Sequence, residues 1–341
     1  MRFLFIGAGA IGTYVGGSLA AAGHPVTFIE QPSAAAQLRR RGLRIDTAHG
    51  ARRVTDLAIV DSPRAALAAG SYDVAVLALK SFDTAAAVDS LVATGHPVPP
   101  VLSLQNGVDN ETTIAERVGA DRVVAGTVTT AVGKPGVGHV IEEKLRGMGI
   151  AASSPVSAAL VDALNDAALI ARTYPDAAAM KWSKLLTNLT GNATSAILDM
   201  SVSAIFSDRR LYAVEVAVLR ECLAVMDALG VAPVNLPGTK VRALALAARR
   251  APRWIGQPVL TRALGSGRGN KMPSFHIDLH SGRGTSEVAY LNGAVVGHGT
   301  AHGVPTPVNR VLTDTLTALT EGQEDIERFR GRPDALLALL P

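Results

Sequence analysis

The sequence is poor in cysteine, with Cys222 the only one among 341 residues. A single cysteine excludes an internal disulfide framework and suits a reducing compartment. No apolar run approaches the length that crosses a membrane, so we expect no membrane partner. The first apolar run starts at Phe3, which leaves no room for a signal peptide. From these absences we expect a cytoplasmic protein.

Charged residues are also scarce, at 18% of the chain. Lysine and arginine number 33 and aspartate and glutamate 29, so the net charge is only +4. This excess is too small to indicate nucleic acid binding. Eight basic residues and no acidic one lie between residues 228 and 277. This basic segment either attracts an anionic ligand or forms a solvated helix face.

The opening stretch, residues 1–17, carries the first functional motif. A short apolar run ends at Gly7, and Gly9 and Gly12 complete the spacing G-x-G-x-x-G before an apolar helical pattern. Gly7 permits a sharp turn, Gly9 leaves room for a pyrophosphate, and Gly12 lets the helix pack closely on the strand. The free N–H groups at the helix start then bind phosphates. The predicted dinucleotide-binding residues are Gly7, Ala8, Gly9, Ala10, Ile11 and Gly12.

The pattern of elements predicts two domains. Strands and helices alternate over residues 1–175, which predicts an α/β domain with a doubly wound, mostly parallel sheet. From 176 to 341 nearly every pattern is helical, so we place the boundary near Pro175. The detailed predictions include strands at 53–60 and 123–132, an edge strand at 148–152, helices at 177–197 and 286–296, and a loop at 261–270.

Three polar side chains follow predicted strands of the first domain. Lys80 and Asn106 come directly after two of these strands. Because ligands of an open parallel sheet bind outside the carboxyl ends of its strands, we expect both side chains to line the binding crevice. The alternatives are a solvated lysine and an ordinary turn asparagine before glycine. Glu30 follows directly after the second predicted strand. Its spacing along the sequence from the glycine motif is about that expected for a carboxylate that binds a ribose.

A polar stripe marks the start of the helical domain. Lys184, Asn188 and Asn192 fall at i, i+4 and i+8, so on one continuous helix they share a face. Such a stripe on an otherwise apolar helix needs partners, because unpaired buried polar groups are costly. It forms either an interdomain hydrogen-bond network or a substrate-facing surface whose lysine donates a proton. Lys181, one turn earlier, is the alternative proton donor.

Two histidine pairs have the i, i+4 spacing that lets two imidazoles share a metal. These pairs are His276 with His280 and His298 with His302. Asp278 and Glu287 are the acidic residues that would complete a site. The glycine- and alanine-rich surroundings of the second pair disfavour one, so the sequence predicts no metal.

Taken together, the chain resembles the ketopantoate reductase (2-dehydropantoate 2-reductase) family of the 6-phosphogluconate-dehydrogenase-like superfamily. The resemblance extends over nearly the whole chain and is more specific than any single motif. It rests on the glycine motif, on Lys80, on the Leu-Gln-Asn-Gly-Val turn at 104–108, on the stripe at 184–192, and on the segments 272–275, 287–293 and 302–307.

The resemblance implies a Rossmann domain followed by an all-α domain, and reduction of a small anionic 2-oxo acid, ketopantoate by default. Lys184 would protonate the developing alkoxide, while Asn188 and Asn192 orient the substrate. Ser274 would bind the substrate carboxylate. Glu287 would hydrogen-bond the substrate hydroxyl and help to hold Lys184.

The resemblance also implies an NADP or NAD cofactor, with Asn106 at the nicotinamide-side ribose and Lys80 beside it. Family members that use NADP usually place an arginine just after the second strand, where this chain has Glu30. A carboxylate there favours a ribose diol and repels a 2′-phosphate, which indicates NAD. The alternatives are an NAD-dependent catabolic hydroxy-acid dehydrogenase of the same fold and a non-catalytic nicotinamide-binding protein. A homodimer is one option for the assembly.

Overall fold

The computed structural model describes residues 1–252, 256–258, 272–282 and 284–340. The chain forms two compact units. The N-terminal unit is Met1–Lys181 with Asn235–Thr239, and the C-terminal unit is Trp182–Val234 with Lys240–Pro341. The division falls a few residues after the boundary that the sequence suggests near Pro175. Across the described ranges, no helix is both long enough and apolar enough to span a bilayer.

The strands lie in the N-terminal unit. In chain order they are β1 (Phe3–Ile6), β2 (Val26–Ile29), β3 (Leu43–Thr47), β4 (Gly50–Val54), β5 (Ala58–Val60), β6 (Val74–Leu77), β7 (Val101–Ser103), β8 (Val123–Val128), β9 (Ala131–Gly136), β10 (His139–Lys144), β11 (Met148–Ala151) and β12 (Ala171–Tyr174). Eight of them form the main sheet, in the order β12-β11-β8-β7-β6-β1-β2-β5. All neighbours in it pair parallel except β8 and β11. The predicted α/β fold with a mostly parallel sheet is therefore confirmed.

Both faces of the main sheet are buried. Along β1, Phe3 and Phe5 belong to one hydrophobic cluster, while Leu4 and Ile6 belong to another. Alternate side chains of a strand point to opposite faces, so the two clusters cover the two sides of the sheet. This burial explains why the strands read as short continuous apolar runs.

A second, four-stranded sheet of order β4-β3-β10-β9 was not foreseen, and it explains two wrong predictions. The predicted strand 53–60 is divided, because β4 lies in this sheet and β5 at the edge of the main one. The predicted strand 123–132 is divided between β8 and β9 in the same way. At that transition Thr129 and Thr130 turn their N–H groups to the carbonyl of Gly147. The predicted strand 148–152 is present as β11, but its predicted edge position is wrong, since β12 pairs with the outer side of β11.

The helices of the N-terminal unit cover the main sheet. They are α1 (Ala10–Ala21), α2 (Pro32–Arg41), α3 (Pro63–Ala69), α4 (Thr84–Val92), α5 (Asn110–Val118) and α6 (Ser157–Asp166), followed by α7 (Ala177–Leu189), in which the two units divide. Helix α1 packs closely on the sheet. A Cβ atom at Gly12 would lie 2.1 Å from the carbonyl oxygen of Gly7, so any side chain there would push α1 away.

The described part of the C-terminal unit is helical. Its further helices are α8 (Asn192–Leu198), α9 (Val202–Ser207), α10 (Arg209–Ala228), α11 (Val241–Arg250), α12 (Ser274–His280), α13 (Asn292–Ala301), α14 (Pro307–Thr320) and α15 (Pro333–Leu337). The predicted helix 286–296 is wrong, because a short 3-10 helix, Glu287–Tyr290, precedes α13. Leu291 interrupts the two with a non-helical backbone. The predicted loop at 261–270 lies outside the described residues.

Candidate active site

The glycine loop joins β1 to α1. Gly7 has a φ of +92°, a conformation that residues with a side chain rarely adopt. A Cβ atom at Gly9 would meet nothing closer than 3.8 Å, so this part of the loop leaves room for a ligand. The first turn of α1 contains no acidic residue and no side chain caps it. Its N–H groups and positive dipole end therefore suit a pyrophosphate, as the sequence predicts.

Glu30 lies against this loop. One carboxylate oxygen accepts a hydrogen bond from the Ala8 N–H at 2.7 Å, and the other accepts one from the Gln31 N–H at 2.9 Å. Among the arginines of α2, Arg39 donates to the carbonyl of Ile59 at 3.0 Å. A negative charge thus stands beside the glycine loop, at the position where a ribose diol is bound in dinucleotide sites.

The predicted residues Lys80 and Asn106 lie on two loops that are tied together. The Ser81 hydroxyl donates to the Asn106 carbonyl at 2.8 Å. The Gln105 side-chain amide donates to the Lys80 carbonyl at 3.1 Å and to Thr84 Oγ1 at 2.8 Å. The structure therefore brings these strand-end loops together at the carboxyl ends of β6 and β7.

Sequence reasoning missed the buried side chains below these loops. Thr84, Gln105 and Asn110 are each less than 5% exposed and hydrogen-bonded to one another in series. Their signal was the polar run that follows β7, in which Gln105 and Asn110 flank the glycine turn. A buried polar side chain next to a predicted binding turn points to a supporting role for that turn.

Lys181, the alternative proton donor, is directed into the N-terminal unit. Its side chain is 4% exposed and its ammonium lies 2.8 Å from a carboxylate oxygen of Glu111. The same nitrogen donates to the Gln105 carbonyl at 2.7 Å. By contrast, Lys184 and Asn188 are half-buried, whereas Leu185 beside them is fully buried.

The predicted stripe does not lie on one helix. α7 ends at Leu189 and α8 begins at Asn192, so the third residue of the stripe is on a different helix from Lys184 and Asn188. Gly191 between them has a φ of +64°, which ends the helical path. The shared helical face predicted for all three residues is therefore wrong for Asn192.

Asn192 is instead bonded to the start of α12. Its side-chain oxygen accepts the Phe275 N–H at 3.1 Å, and its side-chain nitrogen donates to the Ser274 hydroxyl at 3.3 Å. Asn192 is 4% exposed, and it provides a partner for one of the helix N–H groups that lack one within the helix. The structure thus brings together two predicted substrate residues that are far apart in the sequence.

Glu215 of α10 stabilises the break between α7 and α8. This carboxylate is 1% exposed and accepts hydrogen bonds from the Gly191 N–H and the Thr194 hydroxyl, both at 2.6 Å. A negative charge at the first turn of α8 also complements the helix dipole. Because these partners lie over 20 residues away along the chain, local sequence patterns gave no signal for the break.

We expect Glu215→Ala to lower the free energy of unfolding by about 2–4 kcal/mol, because it leaves two buried donors without their acceptor. Urea denaturation of the purified protein measures this change. Glu215→Gln, which keeps an acceptor oxygen, is expected to lose less. Glu321→Ala, at an exposed position, is the control. A Glu215→Ala variant as stable as this control would contradict the assigned role.

Glu287 begins the short 3-10 helix and is 3% exposed. The preceding Ser286 caps this helix, since its hydroxyl accepts the Val288 N–H at 3.2 Å. Five residues later Asn292 donates to the side-chain oxygen of Asn309 at 3.0 Å, and both asparagines are fully buried. Glu287 is therefore carried on a segment that is anchored to α14.

One group of described residues has ligand atoms that could hold a metal ion, namely Asp199, His276 and His280, all within 4.8 Å of one another. The predicted partner Asp278 is not a member. Both Asp199 oxygens have cationic or donor partners, with His276 at 2.6 Å and Arg330 at 3.3 Å. The hydrogen bond from His276 lowers the pKa of Asp199. These contacts account for the cluster as an ion-pair network at the end of α8.

Family models and a curated relative match most of this chain. The family model described as ketopantoate reductase PanE/ApbA matches residues 3–155, and its C-terminal counterpart matches residues 176–320. A 2-dehydropantoate 2-reductase of Halobacterium salinarum is 31% identical over 325 residues, covering 93% of this chain and 98% of the relative.

Solved structures agree in fold. A PanE/ApbA family ketopantoate reductase from Ralstonia eutropha superimposes with a TM-score of 0.80 at 29% identity, covering 95% of this chain and 100% of that one. D-mandelate dehydrogenase, solved with NADH and anilino(oxo)acetate, has a TM-score of 0.77 at 20% identity, covering 94% and 99% of the two chains. At 20% identity, the similarity to D-mandelate dehydrogenase shows a shared fold only.

Proposed function

The chain belongs to the ketopantoate reductase family, and on this premise we propose that it reduces 2-dehydropantoate to pantoate with a nicotinamide cofactor. The observation that carries the proposal is the match of a 2-dehydropantoate 2-reductase at 31% identity over 93% of this chain. The two family models match residues 3–155 and 176–320, which contain the glycine loop and Lys184 respectively. In the reaction a 2-oxo acid, a hydride and a proton give a 2-hydroxy acid.

The fit of the cofactor rests on the glycine loop. The uncapped start of α1 and the uncrowded Gly9 suit a pyrophosphate, and the tied loops of Lys80 and Asn106 suit the nicotinamide-side ribose. The nicotinamide supplies the hydride when it is bound. Every other task falls to side chains of the chain itself.

In this proposal Lys184 donates the proton to the carbonyl oxygen as negative charge develops there. A cation at that position stabilises the transition state more than the ground state. Asn188 orients the substrate, and Glu287 hydrogen-bonds its hydroxyl and helps to hold Lys184. Ser274 binds the carboxylate, with its hydroxyl placed by the hydrogen bond from Asn192.

We also propose that the enzyme prefers NADH to NADPH. The half-buried Glu30 carboxylate accepts a hydrogen bond from the Ala8 N–H. A carboxylate at this position can accept hydrogen bonds from the two ribose hydroxyls, and it repels a 2′-phosphate. Arg39 of the following helix donates to the Ile59 carbonyl. Cytoplasmic location and assembly as a homodimer stay predictions.

The test is the absorbance of reduced nicotinamide in the presence of 2-dehydropantoate, with NADH and NADPH in separate runs. We expect oxidation that depends on 2-dehydropantoate, and faster with NADH. Oxidation of NADPH alone would overturn the cofactor preference and leave the reductase. No oxidation with either cofactor, in a protein that binds them, would overturn the proposed substrate.

A further inference from the structure

Lys181 and Glu111 form an ion pair inside the N-terminal unit. The ammonium and a carboxylate oxygen are 2.8 Å apart, and the side chains are 4% and 17% exposed. Neither oxygen of Glu111 accepts a hydrogen bond from a described residue, so the contact with the ammonium is an ion pair and not a hydrogen bond. Removing two charges from water costs several kcal/mol each, so such a pair is weak evidence for stability by itself. The other contacts of the ammonium indicate a different role for the pair.

The ammonium of Lys181 also holds the backbone at the end of the sheet. It donates to the Gln105 carbonyl at 2.7 Å and lies 3.4 Å from the Gly126 carbonyl. These two carbonyls are the backbone acceptors of the ammonium, and Glu111 is its charged partner. The Gln105 carbonyl belongs to the peptide group that leads into Asn106, so this contact fixes the plane of that peptide.

The same turn is held from the other side. The Ser81 hydroxyl and the Asn110 side-chain nitrogen both donate to the Asn106 carbonyl, at 2.8 and 2.5 Å. Two successive carbonyl groups, at Gln105 and Asn106, are thus each bonded to buried side chains. Asn110 and Glu111 are neighbours in the first turn of α5, so one helix start serves both contacts.

We infer that the Lys181–Glu111 pair is a positioning element for the nicotinamide half of the cofactor. Glu111 orients the ammonium, and the ammonium fixes the Gln105–Asn106 peptide on which the proposed ribose contact is carried. This inference rests on the proposed function, since it takes Asn106 as a cofactor residue. Lys181 acts through the turn, and the adenosine half of the cofactor, at the glycine loop, is independent of it.

The test is the double variant Lys181→Met with Glu111→Leu. Replacing a buried ion pair by apolar side chains of similar volume is often neutral for stability, so we expect a melting temperature near that of the wild type. The Gln105 carbonyl nevertheless loses its donor. We therefore expect the Kd for NADH to rise by about tenfold or more, while the Kd for ADP, which carries only the adenosine half, stays within about twofold. Calorimetric titration gives both values.

Kinetics give a second readout, in which the KM for NADH rises more than kcat falls. Lys134→Met, at an exposed lysine of β9, is the matched control and leaves both ligands unaffected. Unchanged NADH binding in a folded double variant would overturn the inference, and so would an equal loss for NADH and ADP. Should the double variant not fold, Glu111→Gln keeps the size of the side chain and is expected to weaken NADH alone, by a smaller factor. A wild-type protein that binds neither ligand would instead overturn the proposed function.

Discussion

Replacing Lys184 with alanine is expected to lower kcat for 2-dehydropantoate by about a hundred- to ten-thousand-fold, the range for loss of a general acid. The ammonium in the proposed role meets charge that develops only in the transition state. Binding of NADH, which we assign to the N-terminal unit, is expected to change little. Steady-state rates and an NADH titration of the same preparation measure the two effects.

Lys144→Ala, at an exposed lysine of β10, is the control for this variant. The double variant Lys181→Met with Glu111→Leu is the informative comparison, because we expect it to act mainly on the KM for NADH. Near-normal turnover of Lys184→Ala would contradict the assignment of the proton donor. A joint loss of turnover and of NADH binding would indicate damage to the fold.

The second large effect concerns Glu30. We expect Glu30→Gln to shift the ratio of kcat/KM for NADPH over that for NADH by about tenfold or more toward NADPH, because the charge that repels a 2′-phosphate is removed. The glutamine oxygen can still accept the Ala8 N–H, so the glycine loop keeps its shape. Initial rates with each cofactor at saturating 2-dehydropantoate give the ratio.

Asp61→Asn, which removes an exposed charge shortly after β5, serves as the control for Glu30→Gln. Its ratio is expected to equal that of the wild type. If Glu30→Gln also left the ratio unchanged, another group would set the preference between the cofactors.

The parts of the fold that were predictable from sequence are those specified by neighbouring residues. The glycine motif is one, because a strand, a turn and a helix start lie within residues 1–17. The positions at which strands and helices end were less predictable. Strand β8 ends just before Thr129 and Thr130, which are hydrogen-bonded to Gly147. Gly147 lies 18 and 17 residues later in the chain, so local sequence patterns do not reveal these bonds.

The candidate site likewise contains residues that local sequence patterns place correctly and residues whose position depends on distant partners. Lys184 and Asn188 are one turn apart on a regular helix, and local periodicity places them together. Asn192 depends on Glu215, a buried carboxylate 24 residues from Gly191 that stabilises the helix break. A periodicity argument cannot detect such a partner. The role of Lys181 was hidden for the same reason, since its acceptor Gln105 lies 76 residues earlier.

The most direct test of the central claim is the fate of the hydride. The wild-type protein is incubated with 2-dehydropantoate and NADH that carries deuterium at the transferable positions of the nicotinamide, and the pantoate is analysed by mass spectrometry. We expect one deuterium in each pantoate, at the former ketone carbon. Pantoate without deuterium, or no pantoate from a protein that binds NADH, would contradict it.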